Sequence, residues 1–340
     1  MPTQWADEEI YLRLSQHPKN LEEYLKPQDR VVVIDEIQRI PALLNEVHRQ
    51  IEKNRSRKFL LTGSSARKLR RRGVNLLGGR ARSNTLHPLV YGELRSDFDL
   101  NRALEFGTLP THYFSESPRE DLKDYIGTYL KEEIVAEAAT RNIPAFTRFL
   151  EVASTCNGSL INFERISQDA QVPRTTVQNY FQILKDTLIG HSLEPWRKTQ
   201  TRKPILTQKF YFFDIGVTNY LRRVKVIEEN TPQWGEALES YIFHELRAYC
   251  DYFGIEDLHF WRSQSGFEVD FLLDGRIAIE VKSSRRIIAD DLKGIRALSE
   301  EIQLKRKIVV CMETEPRTIH GIEIIHIMQF LEQLWSGEIR

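Results

Sequence analysis

The sequence predicts an α/β fold divided among several domains. "VVVIDEIQ" (31–38) and "KFLLTGSS" (58–65) are short apolar runs, and "ALLNEVHRQIEKN" (42–54) between them has helical spacing. Strand, helix, strand is the rhythm of a parallel sheet. From Trp234 the order becomes helix, three strands, helix, strand, which describes a second compact α/β domain. The 340 residues, 41% of them hydrophobic, exceed one ordinary core, so two or three domains are expected.

Each element has a local cause. Residues 8–26 read as a helix and connector, interrupted by Pro18 and bounded by Pro27, because proline removes a backbone donor and fixes φ. The run Val31–Ile34 predicts a strand buried on both faces. Leu43, Leu44, Val47 and Ile51 place one apolar face on the following helix. Helical patterning resumes near Glu120 and continues through "DYIGTYLKEEIVAEA" and "FTRFLEVAS". "NFERISQDAQVPRTTVQNYFQILKDTLIG" (162–190) reads as helix, turn at Gln171-Val172-Pro173, and a longer amphipathic helix. Thr175 or Thr176 is the expected cap of that second helix. "HSLEPWRKTQTRKP" then resembles a β-wing, so the middle of the chain predicts a winged helix-turn-helix. The last third supplies the helix "WGEALESYIFHELRAYC" and the strands "LHFWRS", "EVDFLL" and "RIAIEVKS". A helix "IIADDLKGIRALSEE", a strand "KIVVCM" and a final amphipathic helix "IMQFLEQLW" complete it. The expected division is 1–95, 96–205 and 206–340.

Composition narrows the function classes. Lys+Arg and Asp+Glu both number 48, giving zero net charge, so only local patches can speak for nucleic acid. One such patch runs from Arg55 to Arg82, with ten Lys/Arg and no Asp or Glu. It reads either as a solvated loop or as a surface facing nucleotide phosphates or nucleic acid. Cys156, Cys250 and Cys311 stand far apart without CxxC spacing. That excludes a disulfide framework and fits a reducing cytoplasm. No apolar run reaches bilayer length, and "MPTQWADEEI" is too acidic for a secretory signal.

Two constellations carry chemistry. Glu268 and Asp270 are two apart on one predicted strand, and Glu280 and Lys282 are two apart on the next, so each pair shares a face. If those strands pair, Asp270, Glu280 and Lys282 converge. Carboxylates are hard oxygen ligands for Mg²⁺, and a lysine beside them can orient water or stabilise developing charge. Glu239 lies on the apolar face of the preceding helix, where a bare charge is costly; a metal or Lys282 is its expected partner. This pattern resembles the PD-(D/E)XK nuclease superfamily. The resemblance assigns Asp270, Glu280 and Lys282 to catalysis, and Glu239, Asp270 and Glu280 to the metal. Val269 stands where many members have proline.

The second constellation is "VVVIDEIQRIPALLNEV", "KFLLTGSSARKL" and "LLGGRARSNTLHPLVYGEL", followed far downstream by "WRSQSGFEVDFLL" and "AIEVKSS". Together these resemble the prokaryotic AAA-type ATPases that end in a nuclease-like domain of unknown function. The resemblance implies Mg²⁺ and ATP as cofactors of intact members. It makes Asp35 the magnesium-side carboxylate, Glu36 the residue polarising water, and Ser64 or Ser65 the γ-phosphate sensor. Arg80 would stabilise transferred charge, on a neighbouring subunit's nucleotide if the protein oligomerises. No G-x-x-x-x-G-K-[ST] occurs in these 340 residues. The expectation is therefore an N-terminally truncated member with impaired ATP binding. The fold class that follows is α/β: a partial P-loop/AAA-type parallel sheet, a helical and winged-helix middle, and a C-terminal nuclease-like α/β domain. A competing reading is a DNA-binding regulator. It places Arg174, Thr175, Gln178 and Asn179 at a major groove, with Arg197, Lys198, Arg202 and Lys203 on phosphates. The expected partner is DNA or another protein, with no membrane.

Overall fold

The computed structural model describes residues 8–63, 81–130 and 142–339, and the side chains of all of these except 128–130. Ser64, Ser65, Arg80 and most of the basic stretch 55–82 lie outside the described residues. Contacts divide the chain into two compact units, Met1–Ser83 with Asp186–Leu188, and Asn84–Lys185 with Ile189–Arg340.

In the first unit, α1 (Glu8–Gln16) and a 3₁₀ segment (Pro18–Tyr24) precede β1 (Val31–Ile34), α2 (Leu43–Lys53) and β2 (Lys58–Leu61). Strands β1 and β2 pair in parallel, from Val31 opposite Lys58 to Ile34 opposite Leu61. The expected βαβ rhythm is present. Leu14, Leu21, Val32, Ile34, Leu43, Leu44 and Val47 form its core. The expected burial of β1 on both faces is corrected. Val31, Val33 and Leu60 are 54%, 49% and 57% exposed. Alternate side chains of a strand point to opposite faces, and the helices of this core cover the face of Val32 and Ile34.

The second unit is built on a nine-stranded mixed sheet, ordered β10-β11-β9-β8-β7-β6-β4-β5-β3. Helices α3 (Leu100–Phe106) and α4 (Pro118–Asp124) lead to α5 (Ile143–Ser154), β3 (Ser159–Leu160), α6 (Phe163–Ala170), α7 (Arg174–Asp186), β4 (Gly190–Pro195) and β5 (Lys209–Phe212). Asn162 caps α6 through the Arg165 amide. The turn passes through Gln171 in the left-handed region, at φ 53°. Helix α7 already begins at Arg174, so Thr175 and Thr176 lie within its first turn rather than capping it; Pro173 sets its start one residue earlier. Strand β5 pairs antiparallel with both β3 and β4, and β4 runs parallel to β6. Thus the middle and last thirds share one sheet.

Next come α8 (Ile215–Leu221), the long α9 (Pro232–Phe253), β6 (Leu258–Arg262), β7 (Glu268–Leu273), β8 (Ile277–Val281), α10 (Lys293–Ser299) and β9 (Arg306–Cys311). Strands β10 (Arg317–Ile319) and β11 (Ile322–His326), which the sequence reading did not anticipate, precede α11 (Ile327–Ser336). The sheet is buried on both sides. Phe260, Phe271, Ile279, Ile308 and Ile325 pack against α9 and α11, and Trp261, Val269, Leu272, Ala278 and Val309 pack against α10. This explains why β7 and β8 read as nearly continuous apolar runs. A charge placed on either strand is enclosed unless something compensates it.

Candidate functional site

The expected carboxylates of the first unit stand at the C-terminal ends of two adjacent parallel strands, the usual place for a ligand in such sheets. Asp35 is exposed and follows β1 directly. Thr62 follows β2, and its hydroxyl donates to Asp35 Oδ1. The same hydroxyl accepts the Glu36 amide at 3.1 Å. Glu36 sits in the left-handed region at φ 52°, uncommon for a non-glycine residue, and its carboxylate accepts the Gln38 side-chain amide. Thr62 and Gln38 were missed in the sequence. Thr62 was legible as the first polar residue after an apolar strand.

The second unit brings Asp270, Glu280 and Lys282 near one another. Strands β7 and β8 are antiparallel, with Phe271 opposite Ile279; Asp270 and Glu280 each lie one residue beyond that pair. Between β6 and β7 the register shifts, from His259 opposite Leu272 to Trp261 opposite Val269. Asp270 and Phe271 therefore oppose the single residue Phe260, a bulge of the kind that re-aims side chains. Asp270 Oδ2 accepts the Val281 amide at 2.8 Å. Lys282 Nζ lies 2.6 Å from Glu280 Oε1. Burial, reinforced by Glu239, pushes the Asp270 carboxyl up to about 6. Burial and Asp270 likewise raise Glu280 well above the ordinary range. Among the described residues, Glu280 Oε2 is buried without a hydrogen-bond partner.

The partner of Glu239 is not Lys282, as expected, but two residues of β5. Lys209 Nζ lies 3.2 Å from Glu239 and 2.7 Å from Glu268, and the Tyr211 hydroxyl donates to Glu239 Oε1 at 2.6 Å. Lys209 and Tyr211 alternate on β5, so both reach one side of it. The signal was present in "KFYF" (209–212), where a lysine interrupts an aromatic strand. Burial alone would depress the Lys209 ammonium, yet Glu239, Asp270 and Glu268 outweigh it and hold the group above its ordinary value. A divalent metal does not fit this arrangement. Among the described residues no three His, Cys, Asp or Glu side chains gather as a metal-holding group, and ammonium groups already engage Glu239, Glu268 and Glu280.

The groove-facing candidates Arg174, Thr175, Gln178 and Asn179 are all exposed along α7. Arg174 lies 3.9 Å from Glu164. Arg197 and Lys198 are exposed, with Arg197 3.2 Å from Glu194 and Lys198 over the Trp196 ring. Arg202 is not available for phosphates as expected. It pairs with the buried Glu301 at 3.0 Å and with Glu300 at 2.6 Å.

Residues 4–95 match the model of an AAA domain. This segment is similar to an AAA domain. Beyond it, residues 97–228 and 234–330 match two domains of unknown function, DUF8612 and DUF4143. Helices α6 and α7 and Lys209 thus fall in the first of these, and Asp270, Glu280 and Lys282 in the second. Two uncharacterized proteins, from Mycobacterium bovis and Mycobacterium tuberculosis, are each 26% identical over 291 residues, covering 82% of this chain. The chain spans 64% of the length of these relatives. No solved structure matches. Among the described residues, no helix is long and apolar enough to cross a membrane.

Proposed function

We propose that the chain acts as an AAA-type ATPase-family protein whose first unit supplies the magnesium side of a nucleotide site. Asp35 holds hydrated Mg²⁺ and Glu36 orients the attacking water; Ser64 or Ser65 senses the γ-phosphate and Arg80 stabilises charge, in trans if the protein oligomerises. The observation that carries this reading is the meeting of Asp35, Thr62 and Glu36 at the ends of two parallel strands. Carboxylate and hydroxyl oxygens suit Mg²⁺, which keeps most of its water and supplies charge neutralisation when bound beside phosphates. Turnover by these 340 residues alone is not expected. They contain no loop of the G-x-x-x-x-G-K-[ST] type, and such a loop supplies most contacts to the β- and γ-phosphates.

Calorimetric titration with Mg·ATP tests the reading. The chain should bind Mg·ATP weakly, and Asp35→Ala should weaken it at least about tenfold, near 1.4 kcal/mol. Binding that is indifferent to both Mg²⁺ and Asp35 would sink it.

A second reading is favoured by the exposed stripe on α7. The order α5-β3-α6-α7-β4-β5 has the connectivity of a winged helix, with α7 in the recognition position. In this reading Arg174, Thr175, Gln178 and Asn179 meet a DNA groove while Arg197 and Lys198 meet phosphates. A gel shift that weakens steeply with salt, and is lost in Arg174→Ala/Lys198→Ala, is the expected result. Retention that does not change with salt would reject it. The α9-β6-β7-β8-α10-β9 order likewise supports a nuclease-like fold for the last third. No metal-dependent step is assigned to it, because Lys209 and Lys282 occupy its carboxylates.

A further inference from the structure

Lys209 joins Glu239 and Glu268 beside Asp270, and it arrives from outside the elements that carry them. Glu239 is on α9, Glu268 and Asp270 on β7, and Glu280 on β8, whereas Lys209 is on β5. Its side chain is 4% exposed. It contacts Glu268 and Glu239 directly, and its ammonium lies 5.4 Å from the Phe260 ring centroid. A buried ammonium survives only where opposite charge compensates its lost water. Tyr211, stacked on Phe243 at 4.0 Å between centroids, adds a second donor from the same strand to Glu239.

We propose that Lys209 is a built-in cation that takes the place of a divalent metal, so that strand β5 holds this acidic centre closed. An ammonium and a hydrated metal compete for the same oxygens, and the tethered ammonium has the advantage of a very high local concentration. Withdrawing its charge leaves Glu239, Glu268, Asp270 and Glu280, whose Oε2 is unpartnered among the described residues, with Lys282 on Glu280 and Arg262, 3.4 Å from Glu268, as the remaining counter-charges. Such a set of oxygens is suited to a hard divalent cation. The proposal extends the nuclease-like reading of the last third and is independent of nucleotide binding at Asp35.

The test is Mn²⁺ binding to the full chain, followed by the electron-spin signal of free Mn²⁺. Wild type should show no saturable site that depends on Asp270 at millimolar metal. Lys209→Gln keeps hydrogen-bonding capacity but not charge, and should gain one site at least tenfold tighter. Adding Asp270→Asn should remove that site, and Lys209→Arg should behave as wild type. Saturable Mn²⁺ binding by wild type that is lost in Asp270→Asn would overturn the proposal. So would a folded Lys209→Gln protein that binds no better than wild type. If Lys209→Gln is unfolded without metal, Mn²⁺ should restore its cooperative melting transition; failure to do so would also overturn the proposal. Loss of the Asp35-dependent nucleotide site would leave all these outcomes unchanged.

Discussion

Asp214→Ala should destabilise the second unit by about 3 kcal/mol, the sum of a lost helix cap and one further stranded buried amide. Asp214 is buried and caps α8 by accepting the Val217 amide at 3.0 Å. Its other oxygen accepts the Thr108 amide at 2.8 Å, which lies more than one hundred residues earlier in the chain. The two segments approach so closely that glycine is required on both sides. Gly107 adopts φ 75°, and a Cβ there would overlap the Asp214 carboxyl. A Cβ on Gly216 would overlap the Phe106 carbonyl. Asn219 adds a third tie, donating to the Leu104 carbonyl at 2.8 Å. Alanine at 214 therefore removes acceptors from a place that water cannot easily reach. Urea unfolding should show a lower midpoint at unchanged slope; a loss below roughly 1 kcal/mol would contradict this account.

The same residue gives a pH test. Burial outweighs the backbone donors and pushes Asp214 up to about 6, from 3.8. The fold then favours the protonated form, so its contribution is complete below about pH 4 and declines as pH rises through 6. Asparagine caps helices comparably and carries no titrating proton. Asp214→Asn should thus gain on wild type in melting temperature between pH 5 and pH 7.5. A gap that does not change with pH would show that the carboxyl is already ionised in the fold at pH 5.

Legibility followed the range of the interaction. The βαβ pattern at 31–61 and the α-β-β-β-α-β order were readable because periodicity is local. The convergence of Asp270 and Glu280 was readable too, since adjacent antiparallel strands with inward carboxylates leave few registers. The lysine in "KFYF" (209–212) marks β5 as unusual, but its partners lie beyond local spacing, because β5 reaches that centre only through the β5-β4-β6-β7 succession of the sheet. The expected burial of Val31 and Val33 failed for a related reason. An apolar run reports that a strand favours burial, not what covers each face. Thr62 lies just before the two serines that carry the family resemblance, and as the hydroxyl nearest the strand end it is the one placed to reach Asp35.

Gly294→Ala sets two local magnitudes against each other. Alanine within a helix normally gains about 1 kcal/mol over glycine, and Gly294 is the second residue of α10. On helix propensity alone the substitution should stabilise the protein. Yet a Cβ at this position would overlap the oxygen and carbon of the Glu268 carbonyl. Those are backbone atoms of β7, so no side-chain rotation relieves the clash; the helix must lift from the sheet. Lifting it disturbs Ile295 and Leu298, which pack on Val269 and Leu272. Overpacking of this kind costs about 3 kcal/mol, so the expected net loss is about 2 kcal/mol. Because Glu268 also holds Lys209, the shift should loosen the acidic centre and make Asp270-dependent Mn²⁺ binding detectable where wild type shows none. A Gly294→Ala protein that is more stable than wild type would mean that helix propensity prevails and that α10 does not lie this close to β7.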